Sequence, residues 1–392
     1  GEPIRSAARH LPKVHTSTLT RSLSGVEIRK PWLEAKEIPA GGGVDEFERK
    51  MARNDYVVWA LSEMGIQRLR ISASDLWTQS SRKRLRILKE YGFSFRLYCF
   101  HQAFPDVEAV LSQEPDLIDA LEITAPFGEL ATVSEQCAAL KDRLPIGFHF
   151  SPLTSDLDQT GDESRFLHGI FHGFRPDDSP RLREAIAKID EAGVFEGLVF
   201  SIFQNESPLE TVFKAGELLR ETTLKPMCNV RLGPDHLFET VCDDHVTAAR
   251  VAEALAAAWI DDGVELFLDT FEDFDRGYFV RTGLVDRSYN PRLLGRVFRH
   301  LTELSNTWPG IFDTAQRLSI DGMPTVRMTG PRHTGFLILP ESPKNPWCFP
   351  REIVPPVGEM IDLETGIQET CNLKSGQPEM IQSPRFFLFE HQ

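Results

Sequence analysis

Carboxylate and histidine side chains recur at the ends of short apolar runs, where a strand would give way to a loop. Glu122 lies in ALEITA, His149 lies in PIGFHFS, and Asp269 is near the end of VELFLDT. Two carboxyl groups can cleave a glycosidic bond, because one protonates the leaving oxygen while the other attacks the anomeric carbon or activates water. These residues indicate a hydrolase that acts on a glycoside or a sugar-acid derivative.

Four carboxylates are candidates for catalysis. Asp269 is the first choice as nucleophile or base, Glu122 or Glu129 as acid/base, and Glu206 is a further loop carboxylate. The residues expected to bind sugar hydroxyls or a carboxylate share a position at or just after a strand end; they are Arg231, Asn229, Asn205, His149, His101, Arg276 and Trp77.

Each of these carboxylates also has a structural interpretation. Asp269 can form a salt bridge with Arg231 or Arg276. Glu122, in the middle of its strand, faces the barrel interior in one orientation and pairs with a helix in the other. The loop glutamates can be solvated charges or residues at a helix start, where the helix dipole favours them.

A metal site is the main alternative chemistry. His101, Glu122 and His149 come from three consecutive strands, and imidazole with carboxylate can bind a divalent ion. Neither HxH nor HExxH spacing occurs among them, so we predict no metal and no cofactor, and a metal-dependent sugar lactonase or isomerase stays the alternative function. In LHGIFHGF, His168 and His172 stand four residues apart, and we interpret that segment as a loop covering the rim. A third alternative is a barrel that binds sugar without catalysis.

These side chains need strands and helices that bring them together, and the chain alternates between the two. A helical pattern begins at Val44 and stops at Gly65. Seven short runs predict strands at residues 68–72, 94–101, 120–125, 145–151, 197–203, 225–232 and 264–270. A helical pattern follows each of them, and Trp32–Ile38 is the candidate for one more strand at the start.

Strands that alternate with helices at this spacing pair in parallel, and eight such units predict a closed (β/α)8 barrel. After Trp308 the helical periodicity ends, and short β-rich runs predict a small antiparallel β-sandwich. The expected organisation is an N-terminal extended segment at 1–40, the barrel at 41–306 and the β domain at 307–392. Chemistry is expected where strands end and βα loops begin.

Charge and cysteine content narrow the partners and the compartment. The net charge of −15 disfavours nucleic acid and anionic membrane surfaces. Six cysteines without CxxC spacing indicate free thiols in a reducing compartment, so we expect a cytoplasmic protein whose partner is a small carbohydrate or sugar acid. The oligomeric state stays open.

The predicted barrel with a compact C-terminal β domain, including the run Met360–Gly366, resembles the build of many retaining glycoside hydrolases. Those enzymes carry Asn-Glu at the end of the fourth strand and a glutamate at the end of the seventh. This chain departs from that pattern, since its fourth strand reads LEITAPFGE and its seventh reads CNVRLGP. The resemblance therefore implies a carbohydrate hydrolase without transferring that carboxylate pair.

A second resemblance covers the last third of the barrel. Phe200–Val212, Asn229–Pro234 and Leu266–Phe279 are similar to the barrel domain of D-apionate lactonases. That similarity implies a sugar or sugar-acid ligand and points to Asp269 and Arg231.

Overall fold

A computed structural model of the chain describes most of its residues. The described ranges are 9–10, 24–28, 32–33, 35–37, 51–53, 55–153, 172–177, 179–233, 243–261, 263–273, 282–286, 288–320, 322–341, 346–347, 357–372 and 379–391.

Eight parallel strands form a closed barrel, as predicted. The strands of the chain up to the end of the barrel are β1 Arg9–His10, β2 Ser24–Ile28, β3 Ala35–Glu37, β4 Met51–Arg53, β5 Arg68–Ser72, β6 Ser94–Phe100, β7 Ala120–Ala125, β8 Gly147–Pro152, β9 Gly197–Ile202, β10 Lys225–Val230 and β11 Glu265–Leu268. The barrel order is β2-β5-β6-β7-β8-β9-β10-β11, with β11 pairing back to β2. Strands β3 and β4 pair with each other outside the barrel.

Helices surround the barrel and connect its strands. They are α1 Tyr56–Glu63, α2 Gln79–Glu90, α3 Phe104–Leu111, α4 Leu130–Lys141, α5 Pro180–Ala192, α6 Pro208–Leu219, α7 Asp244–Ile260 and α8 Leu293–Thr307. Ser179 begins α5 by accepting the Leu182 amide, and Gly193 ends it with φ 64°, a left-handed conformation that glycine adopts without steric cost. Within the described residues, no helix is both long and apolar enough to cross a membrane.

The first barrel strand is not where the sequence placed it. The prediction of Trp32–Ile38 is wrong, because β2 is Ser24–Ile28 while Trp32 and Leu33 lie buried outside any strand. Only Val26 and Ile28 of SGVEI are large apolar residues, so the apolar signal is weak. A Cβ at Gly25 would lie 2.3 Å from the Arg68 carbonyl oxygen, so the close approach of β2 to β5 at this position requires glycine. The helix predicted from Val44 begins at Tyr56, since Met51–Arg53 is a strand.

The main hydrophobic core lies between the outer face of the barrel and its helices. Strand residues such as Leu121 and Ile123 point outward into this core and are fully buried. The residues between them point into the barrel, because side chains alternate across a strand. Inside, the packed apolar group formed by Val199, Met227 and Phe267 is separate from the main core.

The C-terminal part is antiparallel, as predicted. Its strands are β12 Thr314–Ile320, β13 Met323–Thr329, β14 His333–Ile338, β15 Pro346–Trp347, β16 Val357–Asp362, β17 Ile367–Asn372, β18 Glu379–Met380 and β19 Arg385–Glu390. Seven described strands form one sheet in the order β1-β17-β16-β19-β14-β13-β12, and β15 pairs with β18. One face packs through Phe312 and Phe386 against Trp259 of α7. The other face carries a second small core that contains Phe336 and Phe389.

The ends of β9 and β10 are fixed by one arginine on α7. Arg250 is 8% exposed and donates to five backbone carbonyls. The acceptors are the carbonyl oxygens of Arg231 (2.7 Å), Gln204 (3.2 Å), Glu206 (2.6 Å), Ile202 (3.1 Å) and Phe203 (2.6 Å). The planar guanidinium satisfies all five because its donors form a fixed fork.

Replacement of Arg250 by lysine should therefore destabilise the protein. Lysine keeps the charge but cannot reach five carbonyls from one nitrogen, so Arg250→Lys should lower the free energy of unfolding by about 2–4 kcal/mol. Urea denaturation measures this. The matched control is Arg220→Lys, because Arg220 is an exposed arginine paired with Glu217. Equal stability of the two variants would contradict this role of Arg250.

Candidate functional site

The mouth of the barrel, at the carboxyl ends of its strands, collects inward-facing polar side chains. Glu122 of β7 lies level with Tyr98 of β6 and His149 of β8 in the strand register. Glu122 is 1% exposed and faces the interior, which decides between the two orientations that the sequence allowed. The side chain is thus available to the barrel mouth and not to the helix layer.

Arg70 of β5 holds Glu122 in a bidentate ion pair. Its Nε donates to Oε2 at 2.6 Å and its Nη2 to Oε1 at 2.8 Å. The remaining Nη1 donates to Oε2 of Glu27 at 2.5 Å. The guanidinium carbon lies 4.2 Å from the centroid of the Tyr98 ring. One arginine between two carboxylates leaves this buried group with a formal charge of −1.

The charge state of Glu122 follows from these contacts. Burial raises the pKa of its carboxyl, but attraction to Arg70 and the hydrogen bonds from Arg70 lower it further, so the pKa lies below the ordinary value. Burial alone would lower the pKa of Arg70, and its two carboxylate partners raise it. Glu122 is therefore an ionised carboxylate at neutral pH and a poor proton donor there.

A second ion-pair group lies deeper in the barrel. Glu265 of β11 accepts hydrogen bonds from both Arg68 of β5 and Arg96 of β6, with Arg96 Nε at 2.7 Å. Burial opposes ionisation, but the hydrogen bonds from Arg96 and the two positive charges lower the pKa of Glu265 to about 2. Burial also lowers the pKa of His149, so this imidazole is neutral at neutral pH.

His172 lies across the Arg70–Glu122 pair. Its Nδ1 is 2.8 Å from the Ser151 hydroxyl and 3.4 Å from Glu122 Oε1, and its Nε2 is 3.3 Å from Arg70 Nη2. The Ser201 hydroxyl donates to the His172 carbonyl and fixes the backbone. Of the segment LHGIFHGF, which the sequence predicts to be a loop over the rim, the structure describes only His172, Gly173 and Phe174, and His168 lies outside the described residues.

Asn229 of β10 brings an amide with open hydrogen-bonding capacity into the same interior. It is 5% exposed, pairs in register with Ser201 of β9 and Phe267 of β11, and lies one position before the end of its strand. Among the described residues, neither its Oδ1 nor its Nδ2 has a hydrogen-bond partner, and the same holds for Nδ1 of His149. Buried polar atoms are usually paired, so this amide is suited to a polar ligand.

Asp269 follows β11 and is 5% exposed. Its Oδ1 accepts the Leu232 amide and the Thr270 hydroxyl, both at 3.0 Å. The carboxylate therefore ties the end of β11 to the end of β10. Arg231 precedes Leu232, and its guanidinium lies 5.5 Å from the centroid of the Phe203 ring. The guanidinium of Arg175 lies 3.8 Å from the same centroid.

Other predicted residues lie on the loops after the strands. Glu129 is exposed in the 3-10 turn Phe127–Glu129, and Asn205 is exposed after β9. Glu206 Oε2 accepts the Phe203 amide at 2.8 Å, so this carboxylate supports its own turn. Trp77, after β5, is 45% exposed. Arg276 lies outside the described residues.

The structure does not bring together the three ligands of the alternative metal site. His101 lies in the 3-10 turn after β6, while Glu122 is already bound by Arg70. Within the described ranges, no group of three histidine, cysteine, aspartate or glutamate residues could hold a metal ion, and this covers His101, Glu122 and His149. The three residues come from consecutive strands, but this arrangement does not bring their side chains close enough together to bind one metal ion.

The sequence analysis missed three residues of the mouth: Glu27, Arg70 and Tyr98. The signal for Arg70 was present in RLRIS, where charged and apolar residues alternate. In a barrel strand such alternation indicates charges that face the interior, and these require interior partners of opposite sign. The partner Glu27 belonged to a strand that the sequence analysis had placed elsewhere.

Comparisons with known proteins find distant structural resemblance alone. No protein-family model matches the chain, and no curated protein matches it in sequence. Solved structures that resemble it include an Anoxybacillus alpha-amylase, with 12% identity over 86% of this chain and 89% of that chain and a TM-score of 0.48. The maltogenic alpha-amylase AmyB from Thermotoga neapolitana has 8% identity over 86% of this chain and 93% of that chain and a TM-score of 0.46. An alpha-fucosidase from Thermotoga maritima has 10% identity over 85% of this chain and 79% of that chain and a TM-score of 0.39. At this similarity they do not assign an activity. The comparisons do not confirm the resemblance to D-apionate lactonases.

The Arg70–Glu122 pair should make stability depend on pH. Replacement of Glu122 by glutamine leaves a buried guanidinium with one carboxylate fewer, so the free energy of unfolding at pH 7 should fall by about 3 kcal/mol. The folded-state pKa of Glu122 is below its unfolded value of about 4.3. Its stabilisation is thus complete above about pH 5, and the difference between wild type and Glu122→Gln should shrink as the pH falls through the lowered folded pKa.

Urea denaturation between pH 3 and 8 measures this dependence. Glu90→Gln is the control, because Glu90 is exposed near the end of α2. A Glu122→Gln difference that stays constant across that range would show that the pair does not titrate as described.

Proposed function

We propose that this chain is a carbohydrate-active hydrolase whose substrate, a glycoside or sugar-acid derivative, binds at the barrel mouth. The observation that carries the proposal is the Asn229 amide, which is buried without a hydrogen-bond partner among the described residues. It lies in an interior that also contains the ionised Glu122 and the Arg70 guanidinium. An amide can donate to one hydroxyl and accept from another, which suits a polyhydroxylated ligand.

The carboxylates take different roles in this proposal. Asp269 remains the nucleophile or base, since it lies at the end of its barrel strand. Glu122, held ionised by Arg70, supplies negative charge that stabilises the positive charge developing at the anomeric carbon. Protonation of the leaving oxygen needs a different group, and we assign it to Glu129 on the loop after β7. Glu206 is already engaged by its own turn.

The binding residues follow from the same arrangement. Asn229 and His149 bind hydroxyls from inside the barrel, and Arg231 binds a carboxylate at the rim. His101, Asn205, Trp77 and Arg276 extend the surface on the surrounding loops. The proposal requires no cofactor. The described cysteines are free thiols, which supports a reducing, cytoplasmic location, and the charge of −15 supports a small-molecule partner over nucleic acid or membrane.

A barrel that binds sugar without cleaving it is the second candidate. It is favoured by the bidentate contact with Arg70, which occupies both oxygens of Glu122. The two candidates differ in one measurable respect, since both bind a sugar at the mouth and only the hydrolase turns it over.

Replacement of Asp269 by asparagine should separate them. On a panel of 4-nitrophenyl glycosides and sugar lactones, wild type should release product, and Asp269→Asn should reduce kcat by about 10²–10⁴-fold because it removes the reacting carboxylate. Glu129→Gln should lower kcat mainly with poor leaving groups. Unchanged turnover in Asp269→Asn would remove Asp269 from the mechanism. Sugar binding without any turnover by wild type would establish the second candidate.

Replacement of Asn229 by alanine should weaken sugar binding and leave the stability of the protein nearly unchanged. Asn229→Ala removes a buried amide that has no partner among the described residues, so the free energy of unfolding should stay within about 1 kcal/mol of wild type. The sugar that wild type cleaves or binds should bind to this variant about tenfold more weakly or worse. Calorimetry measures the affinity.

Ser201→Ala is the matched control for this variant. It leaves the His172 carbonyl without its hydroxyl donor and should destabilise the protein by about 1 kcal/mol. If Asn229→Ala is the less stable of the two and binds sugar normally, the amide has a structural role and does not bind the ligand.

A further inference from the structure

Two exposed aromatic side chains, Tyr56 and Trp59, and the half-buried Tyr289 contact one another outside the barrel interior. The Tyr56 and Tyr289 rings are nearly parallel, with an interplanar angle of 10° and centroids 6.2 Å apart. The Trp59 ring meets Tyr56 edge-on at 78° and 5.6 Å. Tyr56 is 62% exposed and Trp59 is 63% exposed. We call Tyr56, Trp59 and Tyr289 the aromatic platform.

The aromatic platform lies on the same side of the barrel as the mouth. Tyr56 begins α1, the helix that follows β2, and Tyr289 lies in the connection between β11 and α8. Strands β2 and β11 are neighbours in the barrel. Chain segments that leave the carboxyl ends of parallel strands start at the same rim, so the platform belongs to the face on which the mouth opens.

The backbone holds Tyr289 in an unusual conformation. Among the described residues, Tyr289 is the only non-glycine residue with a positive φ, at 64°. The turn around it is fixed by Asp286, whose Oδ1 accepts the backbone amides of Ser288 at 2.8 Å and Asn290 at 2.9 Å. A bulky residue adopts this region only where its surroundings impose it, and such positions concentrate at ligand-binding sites.

The chemistry of the platform suits a sugar ring. The C–H bonds on one face of a pyranose form a small apolar surface that packs on the electron-rich face of an aromatic ring, while its hydroxyls point to the edges. Two rings at 78° make a corner that contacts both the face and the edge of such a ring. The Tyr56 hydroxyl and the Trp59 N–H are polar groups of the platform itself, whereas the neighbouring Asp55 and Asp286 are already bound by Arg84 and Asn290.

We propose that the aromatic platform is a second carbohydrate-binding site, which holds pyranose units of an oligosaccharide whose other end is bound at the mouth. The inference rests on the proposed function for the class of ligand. It adds that the natural ligand is a chain of several sugars, because one ligand bound at both sites must extend along the rim from the mouth to the platform. A second copy of this chain is the competing occupant, because exposed aromatic residues also mark protein interfaces.

The test measures binding of defined hexasaccharides, maltohexaose and cellohexaose, by calorimetry and by the change in tryptophan fluorescence. Wild type should bind at least one of them, and Trp59→Ala and Tyr56→Ala should each weaken that binding at least tenfold. Tyr91→Ala is the matched control, because Tyr91 is 71% exposed at the end of α2, on the opposite side of the barrel, and its loss should leave affinity unchanged. Thermal unfolding checks that each variant is folded.

The outcomes separate this inference from the proposed function. Hexasaccharide binding that depends on Trp59, without turnover of any substrate, would support the platform and refute the hydrolase. Turnover that depends on Asp269, together with no hexasaccharide binding or with binding unaffected by both Trp59→Ala and Tyr56→Ala, would overturn the platform alone. Sedimentation velocity identifies the competitor: a wild-type dimer that dissociates in Trp59→Ala, with no hexasaccharide binding, would replace the platform by an interface.

Discussion

The interior of the barrel depends on one arginine, Arg70, held between Glu27 and Glu122. A guanidinium this deeply buried is stable only with compensating charge and hydrogen bonds, because removing an ion from water costs several kcal/mol. The pairing joins β2, β5 and β7, which are not all neighbours around the barrel. It therefore fixes the relative positions of strands across the interior and leaves an ionised carboxylate at the mouth.

The rest of the interior is arranged around this charge. Arg68, Arg96 and Glu265 form a second ion-paired group in the barrel. Val199, Met227 and Phe267 fill the part lined by β9, β10 and β11 with apolar atoms. Asn229 lies beside that apolar group without a hydrogen-bond partner in the described part of the chain. Buried polar groups are usually hydrogen-bonded, so this amide is a place where a polar ligand can complete the bonding. The same physical reasoning supports the mouth as the functional site.

Much of the fold could be predicted because its signals are local. The strands Arg68–Ser72 and Ala120–Ala125 and the helix Pro180–Ala192 agree with the pattern of apolar residues. The first strand could not be predicted in this way, since Glu27 interrupts its apolar character and is stable there only through Arg70, 43 residues away. For the candidate site, periodicity placed Glu122 on a barrel strand, but the choice between its two faces depended on the register of the neighbouring strands.

The sequence by itself determined the (β/α)8 barrel, the antiparallel C-terminal part and the rim on which polar residues gather, because hydrophobic periodicity and strand-helix order are properties of short segments. The tertiary structure decided which of those residues meet. It paired Glu122 with Arg70, placed His172 over that pair, left the Asn229 amide without a partner among the described residues and kept His101 and His149 from forming a metal site with Glu122. These relations join residues distant in the chain, and their energies depend on burial and distance, which exist only once the barrel has closed.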